Sequence, residues 1–207
     1  MSLFITLEGG EGCGKSSQSR ALYRWLKKQN IPVLLIHEPG GTPLSEKIRR
    51  LLKRSNAEIS PLTELLLFNA SRAELVSQVI KPSLKKGITV VCDRFADSTV
   101  AYQGYGRGLD LEMVIIANKI ASQGLIPDLT ILLDAPVKIT LARKGENPDR
   151  FERESLAFHQ RVREGFLKLA AAEPGRFLVV NCNQSKEKVF EVIRKRVQKR
   201  IRSAQTT

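Results

Sequence analysis

The chain alternates short runs of aliphatic and β-branched residues with longer stretches whose apolar positions recur every three or four residues. The short runs at 3–7, 33–36, 88–92, 129–134 and 177–181 read as strands. The longer spacing predicts helices over 15–29, 43–54, 61–84, 111–123, 137–143, 150–172 and 186–202. The run at 88–92 is apolar on both faces, as a strand covered on both sides requires. Strands and helices in alternation predict an α/β fold, a five-stranded parallel sheet with helices on both faces. Nothing in the pattern divides the chain, so residues 1–207 are expected to form a single domain. The polar stretch 144–149 and the glycine-rich stretch 103–108 read as loops.

Composition narrows the picture. With 42% hydrophobic and 27% charged residues the chain is not a disordered tail. Its apolar runs, such as 65–68, fall far short of the roughly 20 residues of a membrane-spanning helix. No basic region precedes the first apolar stretch, and Glu8 interrupts it, so no signal peptide is expected. Cys13, Cys92 and Cys182 are odd in number and widely spaced, which excludes a disulfide scaffold and points to a reducing, cytoplasmic setting. His37 and His159 have no metal-ligand spacing around them. The net charge of +13 admits nucleic acid, a membrane surface or a small polyanion as partner.

One motif favours the polyanion. Gly9-Gly10-Glu11-Gly12-Cys13-Gly14-Lys15-Ser16 fits GxxxxGK[ST], following an apolar strand and opening a helix. Such a P-loop converges backbone N–H groups on phosphate oxygens at the positive end of a helix. Lys15 is expected at the β- and γ-phosphates of ATP, the Ser16 hydroxyl at Mg²⁺, and Ser17 at the α-phosphate. Asp93 and Asp134 each close an apolar strand and compete to hold the metal. Asp93 is preferred because Arg94 follows it, setting a metal-facing carboxylate beside a phosphate-facing guanidinium.

Further motifs carry a resemblance. Glu38-Pro39-Gly40-Gly41-Thr42, Asp93-Arg94-Phe95, the run 98–104, and Pro127-Asp128-Leu129-Thr130, in this order, make the chain similar to the bacterial thymidylate kinases. The resemblance implies a P-loop fold of the nucleoside monophosphate kinase type, in a homodimer that moves the γ-phosphoryl group of ATP to dTMP. It implies that Arg94 clamps the dTMP phosphate and that Glu11 faces the sugar 3′-hydroxyl. Phe68 is implied to stack on thymine while Arg72 donates a hydrogen bond to it. Ser98 is implied at the base edge, with Tyr102 and Gln103 closing on the nucleoside. A mobile lid near 143–153 is also implied. Some relatives carry a catalytic arginine in the P-loop, but Gly10, Glu11, Gly12 and Cys13 leave none here. The lid then supplies the cation, with Arg143 and Arg150 favoured among Arg143, Lys144, Arg150 and Arg153.

Read from residue chemistry alone, two alternatives stay open: a P-loop kinase for a different small phosphate ester, and a nucleic-acid-dependent ATPase. The second lacks a basic stripe interleaved with aromatics. Residues 186–202 hold eight basic and two acidic side chains, while Val189, Ile193, Val197 and Ile201 recur every four residues. That is an amphipathic helix with a solvated basic face, so much of the charge excess lies there and around the phosphate site, and no nucleic-acid or membrane partner is expected.

Overall fold

The computed structural model of the protein describes residues 2–54, 58–143 and 149–205. Among these, five strands form one parallel sheet: β1 (Phe4–Glu8), β2 (Val33–His37), β3 (Thr89–Asp93), β4 (Leu129–Asp134) and β5 (Phe177–Asn181), in the order β2-β3-β1-β4-β5. Every residue of β1 is buried, which its apolar run permits on both faces. Pairing aligns Leu7 with Asp93 and with Ile131. Chain order therefore reverses around β1, and a crevice opens beyond the carboxyl ends of the strands.

Helices α1 (Lys15–Lys28), α2 (Pro43–Arg54), α6 (Leu111–Ser122) and α9 (Lys186–Gln205) lie close to the expected bounds. Val189, Ile193 and Val197 of α9 are buried against the core around β1 and β4, and Trp25 packs on the same cluster. No helix among the described residues is long and apolar enough to cross a membrane.

Four stretches differ from the sequence reading. The helix expected over 61–84 is α3 (Pro61–Leu75), a π-helical turn (Val76–Ile80) and α4 (Lys81–Lys85). Pro82 has no N–H for the helical ladder, and its ring crowds the carbonyl four residues back, which the wider turn accommodates. The helix expected over 137–143 is the shorter α7 (Val137–Leu141). The helix expected from 150 starts later, as α8 (Leu156–Ala172), because the Ser155 side chain caps it by accepting from Phe158 N–H. The supposed loop 103–108 is largely helical: α5 (Ala96–Thr99) runs into a π-helical segment (Val100–Gly106) that packs on α8. A Cβ on Gly106 would lie 2.8 Å from the Phe158 ring, so glycine serves helix packing there. The predicted loop at 144–149 lies outside the described residues except for Asp149.

Candidate active site

The P-loop joins β1 to α1 at the crevice floor. Gly12 has φ 71°, and an added Cβ would fall 1.9 Å from the Thr140 carbonyl oxygen, so only glycine fits. Lys15 is buried, and its ammonium donates to the Gly10 carbonyl at 2.7 Å. Burial and the nearby Arg94 lower its pKa, against the pull of Glu11 and Asp93. The Ser16 hydroxyl donates to Asp93 Oδ2 at 2.5 Å. Asp134 instead accepts two bonds from Arg163, at 2.7 and 2.9 Å. Of the two strand-end aspartates, Asp93 is therefore the one beside the P-loop hydroxyl.

Arg94 departs from its neighbour. Its guanidinium donates to Glu11 Oε1 at 2.6 Å and to the Gly9 carbonyl, the Ser98 hydroxyl and the Tyr102 hydroxyl, each at 3.1 Å. Its φ of 74° is left-handed, a costly conformation for a side chain and a kind of strain concentrated at functional sites. Burial would lower its pKa, but Glu11, Tyr102, Asp93 and Glu8 together outweigh that and raise it. The Tyr102 hydroxyl also donates to Glu11 Oε1, at 2.7 Å. Burial pushes the Glu11 carboxyl up, yet Arg94 and Lys15 outweigh it and hold its pKa at about 2.

Behind this pair lies Glu8, fully buried. It accepts from Phe95 N–H at 2.7 Å and from the Ser98 hydroxyl at 2.5 Å. Burial, reinforced by Asp97, pushes its carboxyl up to about 8.

Above the P-loop is a cleft of about 650 Å³. Glu11, Lys15, Ser16, Ser17, Phe68, Arg72, Asp93, Arg94, Ser98, Tyr102 and Gln103 all line it. Phe68 is only half-buried; its ring centroid is 5.7 Å from that of Phe151, which is 6.1 Å from Tyr102. Three aromatic rings thus wall one side. Arg72 is 1% exposed and donates to Glu38 at 2.9 Å, Thr99 at 2.9 Å, Asn118 at 2.6 Å and Asn69 at 3.4 Å. Its donors are engaged within the protein, so a ligand carbonyl would share one of them. Gln103 donates to the buried Glu64 at 2.7 Å.

The cleft does not gather every expected residue. Gly9, Gly10 and Cys13 sit beneath it, around a smaller recess. Arg143 donates to the Cys182 carbonyl at 3.2 Å and to Asn183 at 3.0 Å, at the end of β5. Arg150 stacks on Phe151 and donates to Glu64 at 2.5 Å and to the Leu52 carbonyl at 3.0 Å. The backbone N–H of Arg153 donates to Asp149 O. Lys144 lies outside the described residues. Sequence reasoning missed Glu8, Glu38, Glu64 and Phe151. A carboxylate closing a mostly apolar strand was the available signal for Glu8, since a buried charge needs dedicated partners.

The model of the thymidylate kinase family matches residues 7–193. The chain is 60% identical over 199 residues to a Dehalococcoides mccartyi thymidylate kinase, covering 95% of this chain and 96% of that one. It is 48% identical over 212 residues to a thymidylate kinase of Symbiobacterium thermophilum, covering 100% and 99%. Its fold is similar to the crystal structure of thymidylate kinase from Ehrlichia chaffeensis, with a TM-score of 0.80 and 35% identity over 95% of this chain and 98% of that one.

Proposed function

The chain belongs to the thymidylate kinase family, and on that premise we propose that its cleft phosphorylates dTMP to dTDP with ATP on the P-loop and dTMP against α3. The observation that carries the reading is the placement of Arg94 between the P-loop and the aromatic wall, where a second phosphate would meet the first.

The chemistry demands little more than charge and position. A phosphate monoester has a second pKa of about 6, so the acceptor oxygen is largely ionised at neutral pH and needs no general base. The barrier lies in bringing two anions together and stabilising the transferred group. Lys15 and Arg94 supply fixed positive charge there. Ser16 and Asp93 offer hard oxygen ligands side by side, which suits a Mg²⁺ ion that keeps waters and phosphate oxygens as its other ligands. When bound, such an ion neutralises charge on the ATP phosphates. The Glu11 carboxylate, held by Arg94 and Tyr102, would take the sugar hydroxyl. Phe68 offers a ring to thymine, with Arg72, Ser98 and Gln103 around the base. Arg143 and Arg150 would have to leave their present partners to join Lys15 and Arg94 as lid cations.

The same reading covers the whole chain as one kinase domain in the cytoplasm, with a lid near 143–153, working as a homodimer. Two adjacent helices support the last point. Leu62 and Leu66 on α3, and Met113, Ile116 and Ile120 on α6, are large apolar side chains left exposed, Ile120 at 73%. Stripes of this kind mark association surfaces.

The test is ADP release with ATP, Mg²⁺ and a panel of monophosphates. Turnover with dTMP is expected to exceed that with UMP, CMP and AMP; no preference for dTMP would refute the assignment of the base site.

A further inference from the structure

Glu64 stands in the first turn of α3 and is fully buried. A carboxylate at that depth needs dedicated partners. Its Oε1 accepts from Gln103 Nε2 at 2.7 Å and from Arg107 Nε at 3.1 Å. Its Oε2 accepts from Arg107 at 3.2 Å and from Arg150 at 2.5 Å. The two guanidiniums are held in turn. Arg107 pairs with Glu154 at 2.5 Å and stacks on Phe158, while Arg150 stacks on Phe151.

Gln103 is 1% exposed and belongs to the π-helical segment, where its backbone carbonyl accepts from Leu109 N–H at 3.1 Å. It lines the cleft, and Glu64 does not. The Gln103 NH₂ group is therefore turned out of the cleft, towards α3. Among the described residues, none donates to its side-chain oxygen.

We infer that Glu64 is a positioning residue that sets the sense of the Gln103 amide, and through it which pyrimidine the cleft takes. The inference rests on the reading of the base site under the proposed function. A carboxylate paired with guanidiniums offers acceptors only. The Gln103 NH₂ must face it, and the amide oxygen is left for the base. An oxygen there accepts from the N3–H of thymine or uracil. Cytosine has a bare N3 at the same edge, so two lone pairs would meet with no proton between them. A site built to hydrogen-bond one partner rejects the analogue that leaves its buried polar group unpaired. With the amide reversed, the NH₂ group would suit cytosine instead. Arg72, a donor suited to the thymine carbonyl, adds to the same preference.

The test compares kcat/KM for dTMP and for dCMP in the parent, in E64Q and in the double variant E64Q/Q103E. In E64Q the new amide can donate to the Gln103 oxygen, and the Gln103 NH₂ is released to the base. The dTMP-to-dCMP ratio should fall about tenfold, with Arg72 keeping the remainder. In the double variant a carboxylate at 103 has no donor to present, so the ratio should return to within about threefold of the parent's. A Glu64 that served folding alone would lower both substrates in step and leave the ratio unchanged. That result, with the parent's preference for dTMP intact, would overturn the proposal. So would a double variant no more selective than E64Q.

A second measurement uses the parent and holds even where E64Q does not fold. NMR of the isotope-labelled protein should show one slowly exchanging Gln103 NH₂ proton, both free and with dTMP bound. Loss of that protection on binding dTMP would mean that the amide turns to the base, and would overturn the proposal. A parent that does not prefer dTMP over dCMP would refute the base-site reading, and this role with it; the shift in ratio between parent and E64Q judges Glu64 alone.

Discussion

The Arg94 guanidinium and the Glu11 carboxylate meet at 2.6 Å at the cleft floor, one from the end of β3 and the other from the P-loop. The bond joins the residue assigned to the acceptor phosphate with the residue assigned to the acceptor sugar. Tyr102 contacts both, so the P-loop and the end of β3 share one polar junction.

That junction gives the protein an acid-sensitive contact. The Glu11 pKa is held at about 2, below the ordinary 4.5. Its contribution to stability is therefore full above about pH 4.5 and is lost as pH falls towards 2. Chemical denaturation should find the parent more stable than Glu11→Gln by about 3 kcal/mol at pH 6, with the gap shrinking below pH 4. A gap that does not change with pH would contradict the pairing.

Glu8 carries the opposite sign. Its folded pKa of about 8 lies above the ordinary 4.5, so its contribution is present below pH 4.5 and is lost as pH rises to 8. Glu8→Gln keeps the shape and stays neutral. Measured between pH 5 and 8, the stability of the variant relative to the parent should improve by up to about 1 kcal/mol per pH unit. Parallel curves would show that Glu8 is already ionised in the folded protein.

In the proposed function the Mg²⁺ ion falls to the two oxygens that meet in the Ser16–Asp93 contact. Asp93→Asn keeps the size and removes the charge. A Mg²⁺ titration of activity should shift by about tenfold to higher concentration, and chelation with EDTA should abolish turnover in both proteins. An unchanged titration would place the metal elsewhere.

Replacing Ile116 and Ile120 by aspartate puts charge into the exposed stripe of α6. Light scattering should then report half the parent's mass in solution. A parent already monomeric at micromolar concentration would rule out the homodimer.

Much of the sheet is legible from local pattern because its strands are apolar on both faces, and the P-loop is legible because glycine spacing and Lys15 fall in consecutive residues. What stayed hidden depends on partners distant in sequence. The glycines at 104 and 106 look like a loop until Leu111 and the α8 residue Phe158 are placed against them. Arg150 looks like a free lid cation until α3 brings Glu64 to it. Arg72 shares a helix face with Phe68, as the spacing says, but its four acceptors come from β2's end, α3, α5 and α6. Burial of a guanidinium at that depth is decided by tertiary contacts that helical spacing does not encode.

The central claim is that Arg94 holds the acceptor phosphate and not the nucleotide donor. Arg94→Ala tests it, and the backbone strain at φ 74° is comparable for both residues since each has a Cβ. The measurement sets kcat/KM for dTMP beside the Kd of a non-hydrolysable ATP analogue. The account predicts a roughly 100- to 1,000-fold fall in kcat/KM with analogue binding preserved within about threefold. Equal losses of both, or no loss of turnover, would contradict it.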